Sequence, residues 1–132
     1  MDNKIRVKYH FCIHLIFKQD VDVRKLEKHF GLSAYKLTFK KDAKDREKTA
    51  KIWYKTEDFT NIMVDECFEN FIFKIKDNFV DLPQVLQEYD GKCVCQIVFK
   101  ELHEYPVIAL SNSAIQTLNQ LNASFETDFL CN

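Results

Sequence analysis

Side chains alternate in character at every position between residues 9 and 17, and this alternation limits the fold more than any other segment does. The odd positions are all large and apolar, whereas the even positions are mixed: Tyr9, Phe11, Ile13, Leu15 and Phe17 against His10, Cys12, His14 and Ile16. Period two is typical of a β-strand, whose successive side chains point to opposite faces of a sheet. Because the apolar face needs to be buried, we expect other elements to be layered on that side.

Four segments carry the three- and four-residue spacing of amphipathic helices. They are expected over about residues 21–30, over about residues 61–79, in a short stretch after Pro83, and in a stretch after residue 111. The side chains available to cap them are Asp20 or Asp22, then Thr60 or Asn61, then Asp81, and last Ser111 or Ser113, with Ser113 and Gln116 forming a capping box. The residues predicted to face inward are Val64, Phe68, Phe71, Ile75 and Phe79 in the longest helix, and Ile115, Leu118 and Leu121 in the last.

The remaining segments with strand character predict how these helices are interleaved. They cover residues 35–39, 50–55, 93–99, 105–110 and 124–130, and the charged segment 40–49 is expected to be an exposed loop. Strands and helices thus alternate irregularly, which favours a single α+β domain over residues 1–132. We expect a mainly antiparallel sheet with helices packed on one face, in a ferredoxin-like arrangement with an added helix–strand tail.

Length, charge and glycine content exclude several classes of function. A chain of 132 residues with 46% apolar residues can bury the core of one domain. A net charge of −1 lacks the basic field of a nucleic-acid-binding protein, so nucleic acid is not an expected partner. Neither a signal peptide nor a membrane span is indicated, so we expect a cytoplasmic protein without membrane contact. The two glycines, Gly31 and Gly91, build no phosphate-binding loop, and we predict no cofactor and favour a protein that is not an enzyme.

The even face of the first strand carries the one local pattern with metal-binding chemistry. Imidazole and thiolate are ligands for zinc or copper, and His10, Cys12 and His14 project from the same face. Cys93 or Cys95 would be a fourth ligand, but both share the apolar face of their own strand and are expected to point into the core. The alternative is a half-covered sheet face whose histidines are satisfied by neighbouring groups. The five cysteines, an odd number without a secretion signal, are predicted to be reduced.

The order and spacing of these segments resemble a family of small bacterial proteins known as domain of unknown function 4279. The residues that carry the resemblance are the first strand, Leu26 with Phe30-Gly31-Leu32, Lys51-Ile52-Trp53-Tyr54, Leu82-Pro83, Leu110 to Ile115, Leu121-Asn122-Ala123 and Phe125 to Phe129. The match covers about residues 9–130. The family pattern places glycine near two positions where this chain has Asp42 and Asn122. The resemblance implies a small bacterial α+β domain and brings no catalytic residues.

Uneven charge suggests how such a domain would act. Between residues 36 and 55 there are seven lysines and one arginine against three acidic residues, whereas residues 57–69 hold five acidic residues and no basic one. The leading hypothesis is a non-catalytic protein-interaction module, comparable to immunity proteins, in which Lys44, Arg46 and Lys48 steer a partner.

Two other hypotheses stay open at the level of sequence. The first is a metal- or small-ligand-binding domain that uses the face of His10, Cys12 and His14. The second is a homodimer formed at an uncovered sheet edge, which would be either the strand at 124–130 or the first strand.

Overall fold

The computed structural model describes residues 7–79, 81–103 and 108–130, and within them it has the predicted α+β composition. Strands and helices follow in the order β1 (Val7–Phe17), α1 (Val23–Phe30), β2 (Lys36–Thr38), β3 (Ala50–Lys55), α2 (Val64–Asn78), α3 (Leu82–Glu88), β4 (Gly91–Leu102), α4 (Asn112–Gln120) and β5 (Ala123–Phe129). The segment predicted to be an exposed loop also contains one short 3-10 turn, Lys40–Asp42.

The strands form one mixed sheet in the order β2-β3-β1-β4-β5. β1 is antiparallel to both β3 and β4, and β2 is antiparallel to β3. β5 is parallel to β4, because α4 carries the chain back along the sheet before β5 begins. The first four strands have the order that a ferredoxin-like arrangement requires, and that assignment stays a prediction. β2 and β5 are the edges, so the hypothesis of an edge at the first strand is wrong.

The helices pack on one face of this sheet, as predicted. The odd-numbered side chains of β1 point towards them and are almost completely buried. The rings of Phe11 and Phe68 lie 5.5 Å apart, and those of Phe68 and Phe125 lie 5.0 Å apart, so aromatic contacts join β1, α2 and β5 in one core.

The long helix differs from its prediction at its start and on its inner face. It begins at Val64, and Asn61 does not cap it. The Asn61 side-chain oxygen instead accepts hydrogen bonds from the Met63 N–H at 2.8 Å and from the Tyr9 hydroxyl at 2.9 Å. Val64, Phe68, Ile75 and Phe79 are buried as predicted, whereas Phe71 is only partly buried and Ile72 is fully buried.

The last helix is capped by one of the two predicted serines. The Ser111 side chain accepts a hydrogen bond from the Ala114 N–H at 3.1 Å, so the capping box at Ser113 was wrong. Ile115 was also predicted wrongly as a core residue, since it is 46% exposed while Ala114 and Thr117 are buried. Two small residues on the inner face let this helix lie close to its neighbours.

Some predictions concern residues that the structure does not describe. The N-terminal residues 1–6, Cys131, and residues 104–107 of the strand expected at 105–110 lie outside the described residues. Residues 108–110 have no regular secondary structure. Within the described part of the chain, no helix combines the length and the apolar character needed to cross a membrane.

Candidate functional site

The sheet face opposite the helices, called the open face here, brings together side chains from all five strands. Its rows follow from the strand register, in which His14 lies between Trp53 and Val94, and Cys12 lies between Lys55 and Gln96. The members of the open face are Lys36 on β2, Lys51, Trp53 and Lys55 on β3, His10, Cys12, His14 and Ile16 on β1, Lys92, Val94, Gln96, Val98 and Lys100 on β4, and Glu126 and Asp128 on β5.

The three residues of the metal hypothesis lie in the middle of this face, on the central strand. His10 and Cys12 are only 6% and 1% exposed, and His14 is half-buried. Within residues 7–79, 81–103 and 108–130, no group of three or more His, Cys, Asp or Glu side chains is arranged to hold a metal. The metal hypothesis therefore stays a prediction.

The two cysteines of β4 point into the core, as predicted. Cys93 and Cys95 are paired in register with Leu15 and Ile13, on the helix-packed face, and both are buried. They are free thiols, as are Cys12 and Cys67. Neither of these two cysteines can therefore be a fourth metal ligand on the open face.

Three buried polar atoms on the open face have no hydrogen-bond partner among the described residues. They are His10 Nδ1, His14 Nε2 and the indole nitrogen of Trp53. The Trp53 and His14 rings are in edge contact, with centroids 3.8 Å apart, and the indole N–H is directed towards the Cys12 sulfur, which is a weak acceptor. His10 Nδ1 is 3.6 Å from Asp58, which is beyond hydrogen-bond length. The indole nitrogen thus has a weak acceptor in Cys12, and His10 Nδ1 has the Asp58 carboxylate within ion-pair distance.

Burial also sets the protonation of this face. It lowers the pKa of His10, with further lowering by Lys100 and Lys55, while Asp58 acts in the opposite direction. It likewise lowers the pKa of His14, against a smaller raising effect of Glu126. Both imidazoles are therefore neutral near pH 7, and each offers one N–H donor and one acceptor nitrogen.

Charge is distributed unevenly over the open face. Lysines lie on β2, β3 and β4, whereas Glu126 and Asp128 lie on the edge strand β5. Lys51 pairs with Asp45 at 3.1 Å, but Lys36 and Lys55 make no ion pair within the described residues. The β2–β3 side is therefore a positively charged surface next to the central aromatic and imidazole groups.

The basic loop singled out from the sequence adjoins this positive side. Lys44, Arg46 and Lys48 are all exposed, and a cavity of about 440 Å³ lies between Lys44, Lys36 and Trp53. The loop is held by the Asp45 carboxylate, which accepts a hydrogen bond from the Thr49 hydroxyl at 3.1 Å. Lys44 thus borders this cavity beside Lys36 and Trp53, together with the acidic Asp42 and Asp45, whereas Arg46 and Lys48 are exposed on the same loop.

Three carboxylates of the acidic segment at residues 57–69 contact neighbouring parts of the chain. Asp58 binds Lys100 at 3.0 Å and lies 3.8 Å from Lys8, so these basic groups lower the pKa of its carboxyl. Asp65 accepts a hydrogen bond from the Ala109 N–H at 3.2 Å, and Glu69 accepts one from the Ser111 hydroxyl at 3.0 Å. These carboxylates thus form hydrogen bonds and ion pairs that link neighbouring segments.

Comparison with protein families gives one assignment. The family model described as domain of unknown function (DUF4279) matches residues 8–132. The chain belongs to the DUF4279 family. No curated protein matches it, and no solved structure does. The DUF4279 assignment agrees with the resemblance found from the sequence and names no reaction, so function has to be argued from the geometry above.

Proposed function

We propose that this DUF4279 domain is a non-catalytic protein-binding module whose open face docks on an acidic surface of a partner protein. The observation that carries the proposal is the basic β2–β3 side of this face, where the exposed Lys36 and Lys55 make no ion pair within the described residues. A cation that is not neutralised by its own chain can pair with a carboxylate of a partner, in a charge-assisted hydrogen bond.

The charge of the surrounding residues supports the choice of an acidic partner. Lys36 and Lys55 on the sheet, together with Lys44, Arg46 and Lys48 on the loop, form a basic region whose cations make no ion pair within the described residues. A basic region of this size attracts an acidic surface before contact and increases the rate of association. Immunity proteins, which act by covering a toxin, are the functional analogy, and it rests on architecture alone.

The central aromatic group supports a docking role as well. Trp53 is a large amphipathic side chain in the middle of the face, and tryptophan is enriched among residues that dominate binding free energy. In the strand register Trp53 lies between Lys36 of β2 and His14 of β1, and its ring is in edge contact with the His14 ring. Aromatic side chains are enriched in the core of protein interfaces.

The test compares matched charge reversals in a pull-down from a lysate of the organism that encodes the chain. The docking variant is Lys36→Glu with Lys55→Glu, and the control is Lys28→Glu with Lys76→Glu, which are exposed lysines on the helix side. We expect the wild type and the control to capture one protein, and this capture should survive nuclease treatment of the lysate. The docking variant should not capture it. Equal capture by both variants, or capture of nucleic acid alone, would contradict the proposal.

Once the partner is known, the loop is tested by kinetics. Replacing Lys44, Arg46 and Lys48 by glutamate should slow association by about tenfold at low salt, with a smaller effect at high salt. An unchanged association rate would show that the loop does not steer the partner. Sedimentation of the purified wild type measures its oligomeric state. A dimer would mean that the partner is a second copy of the chain.

A further inference from the structure

The helix side of the molecule contains a groove that shares only Lys55 with the docking proposal. It lies between α2 and the segment that follows β3, and it consists of two cavities of about 190 and 180 Å³. Thr56, Phe71 and Lys74 line both cavities, so the two are joined at these residues. The walls of the larger one are mostly apolar, and they include Ile13, Leu32, Ile75 and Phe79.

A buried hydroxyl in the wall of the larger cavity has no partner. Tyr54 is 8% exposed, and its hydroxyl finds no hydrogen bond among the described residues. Its ring is fixed by an edge contact with Phe79, with centroids 5.1 Å apart. Burial raises the pKa of Tyr54, with a smaller contribution from Glu27, so the hydroxyl keeps its proton and is a donor in need of an acceptor.

The mouth of the groove carries a positive charge. Lys74 is exposed and lines both cavities, and it makes no ion pair in the part of the chain that the structure describes. The side-chain amides of Asn70 and Asn78 lie on the same helix and offer further donors at the rim. An anionic group at the mouth would therefore be favoured, and an apolar body would fill the interior.

We propose that this groove binds a small carboxylic acid with an apolar body. Its carboxylate would lie at Lys74, its apolar part between Phe71 and Phe79, and an acceptor oxygen at its far end would take the hydrogen bond from the Tyr54 hydroxyl. The volume of about 190 Å³ holds on the order of six water-sized groups at about 30 Å³ each, which fits a single ring or a short chain. The site is on the helix side, and Lys55 is the one lining residue that it shares with the open face.

The first arm of the test measures binding of defined probes by amide chemical-shift changes. The probes are 4-hydroxybenzoate, benzoate, and the uncharged 4-hydroxybenzamide, each added at about 1–10 mM, the range in which a ligand of this size is expected to bind. We expect 4-hydroxybenzoate to bind most tightly and to shift the signals of Thr56, Phe71 and Lys74. If none of the probes shifts these signals, or if the three bind equally, the proposal is overturned.

The second arm uses variants with a matched control. Lys74→Glu should weaken 4-hydroxybenzoate binding by about tenfold. Lys76→Glu, two residues further along α2 and not part of the groove lining, should leave it unchanged. Equal effects of the two reversals would mean that the probe senses net charge and has no site here.

Tyr54→Phe separates a binding role from a structural one. Removing an unpartnered hydroxyl should leave the melting temperature of the free protein unchanged or higher, while 4-hydroxybenzoate binding weakens by about fivefold. Benzoate, which has no acceptor oxygen at its far end, should bind the variant and the wild type equally. A lower melting temperature with unchanged probe affinity would assign the hydroxyl a structural role and overturn its part in the site.

Discussion

Gly91 is in contact with the core, and replacing it by alanine should destabilise the protein. It is the first residue of β4 and lies opposite Phe17 in the antiparallel pairing. A Cβ atom at this position would lie 2.5 and 2.7 Å from two ring carbons of Phe17 and 3.1 Å from a methyl carbon of Leu86. Carbon atoms pack at about 3.5–4.0 Å, so the ring would have to move. Phe17 is completely buried, so it has no free space to move into.

The magnitude of the Gly91→Ala effect is the difference between two contributions. An extra methyl in a packed core costs about 1–3 kcal/mol, and the lower conformational entropy of alanine in the unfolded chain returns about 0.4–1 kcal/mol. The net loss is about 1–2 kcal/mol. For 132 residues the unfolding entropy is about 0.28 kcal/mol per kelvin, so the melting temperature should fall by about 4–7 °C.

Thermal and urea denaturation of four proteins measure this contact: the wild type, Gly91→Ala, Phe17→Val, and the double variant. Valine lacks both the Cδ1 and the Cε1 atoms that the new methyl would meet, so Gly91→Ala should cost close to nothing in the Phe17→Val background. The urea m-value should stay constant through the series. If Gly91→Ala is as stable as the wild type, or if its cost is the same in both backgrounds, the contact with Phe17 is not the reason for glycine here.

Three further predictions follow from the caps, the buried histidines and the metal hypothesis. Asp22→Ala should cost about 1 kcal/mol in chemical denaturation, because Asp22 accepts the N–H groups that open α1, whereas Asp20→Ala should be neutral. The pKa values of His10 and His14 are lowered in the folded protein, so below about pH 6.5 the unfolded chain binds protons that the folded chain does not. The free energy of unfolding should therefore decrease as the pH falls below about 6.5. Replacing both histidines by glutamine should reduce this pH dependence, measured by denaturation at pH 7.5 and 5.5. Elemental analysis of untagged protein after incubation with zinc should find less than about one tenth of a metal per chain, and a value near one, lost in Cys12→Ser, would establish the metal site instead.

The parts of the fold that depend on local chemistry could be predicted from the sequence. The alternation in β1 gave both faces of the central strand correctly, since period two fixes side-chain direction once a strand forms. Gly31 closes α1 with φ of 72°, as its place after Phe30 indicated. Asn122, which stands where the family pattern has glycine, also has a positive φ of 54°, a conformation that asparagine tolerates better than most residues.

The parts that depend on long-range pairing could not be predicted. No local signal states that β1 lies in the centre of the sheet or that β5 is parallel to β4. At the Asp90-Gly91 pair it is Asp90 that has the positive φ of 52°, and the reason for glycine at position 91 lies in the Phe17 ring, which is distant in sequence. The groove at Tyr54 was missed for the same reason, since it exists only where β3 and α2 meet.

The residues at the centre of the candidate site were predicted from the sequence, but their place on the central strand was not. This place bears on why they are polar. A central strand covered on both faces is normally apolar on both. β1 is apolar on its helix-packed face only, and its open face has His10, Cys12 and His14 where valine or isoleucine would suit permanent burial. Neutral imidazoles tolerate water and also offer a donor and an acceptor to a partner. Such residues suit a face that is exposed in one state and covered in another, which is the property that the proposed docking role requires.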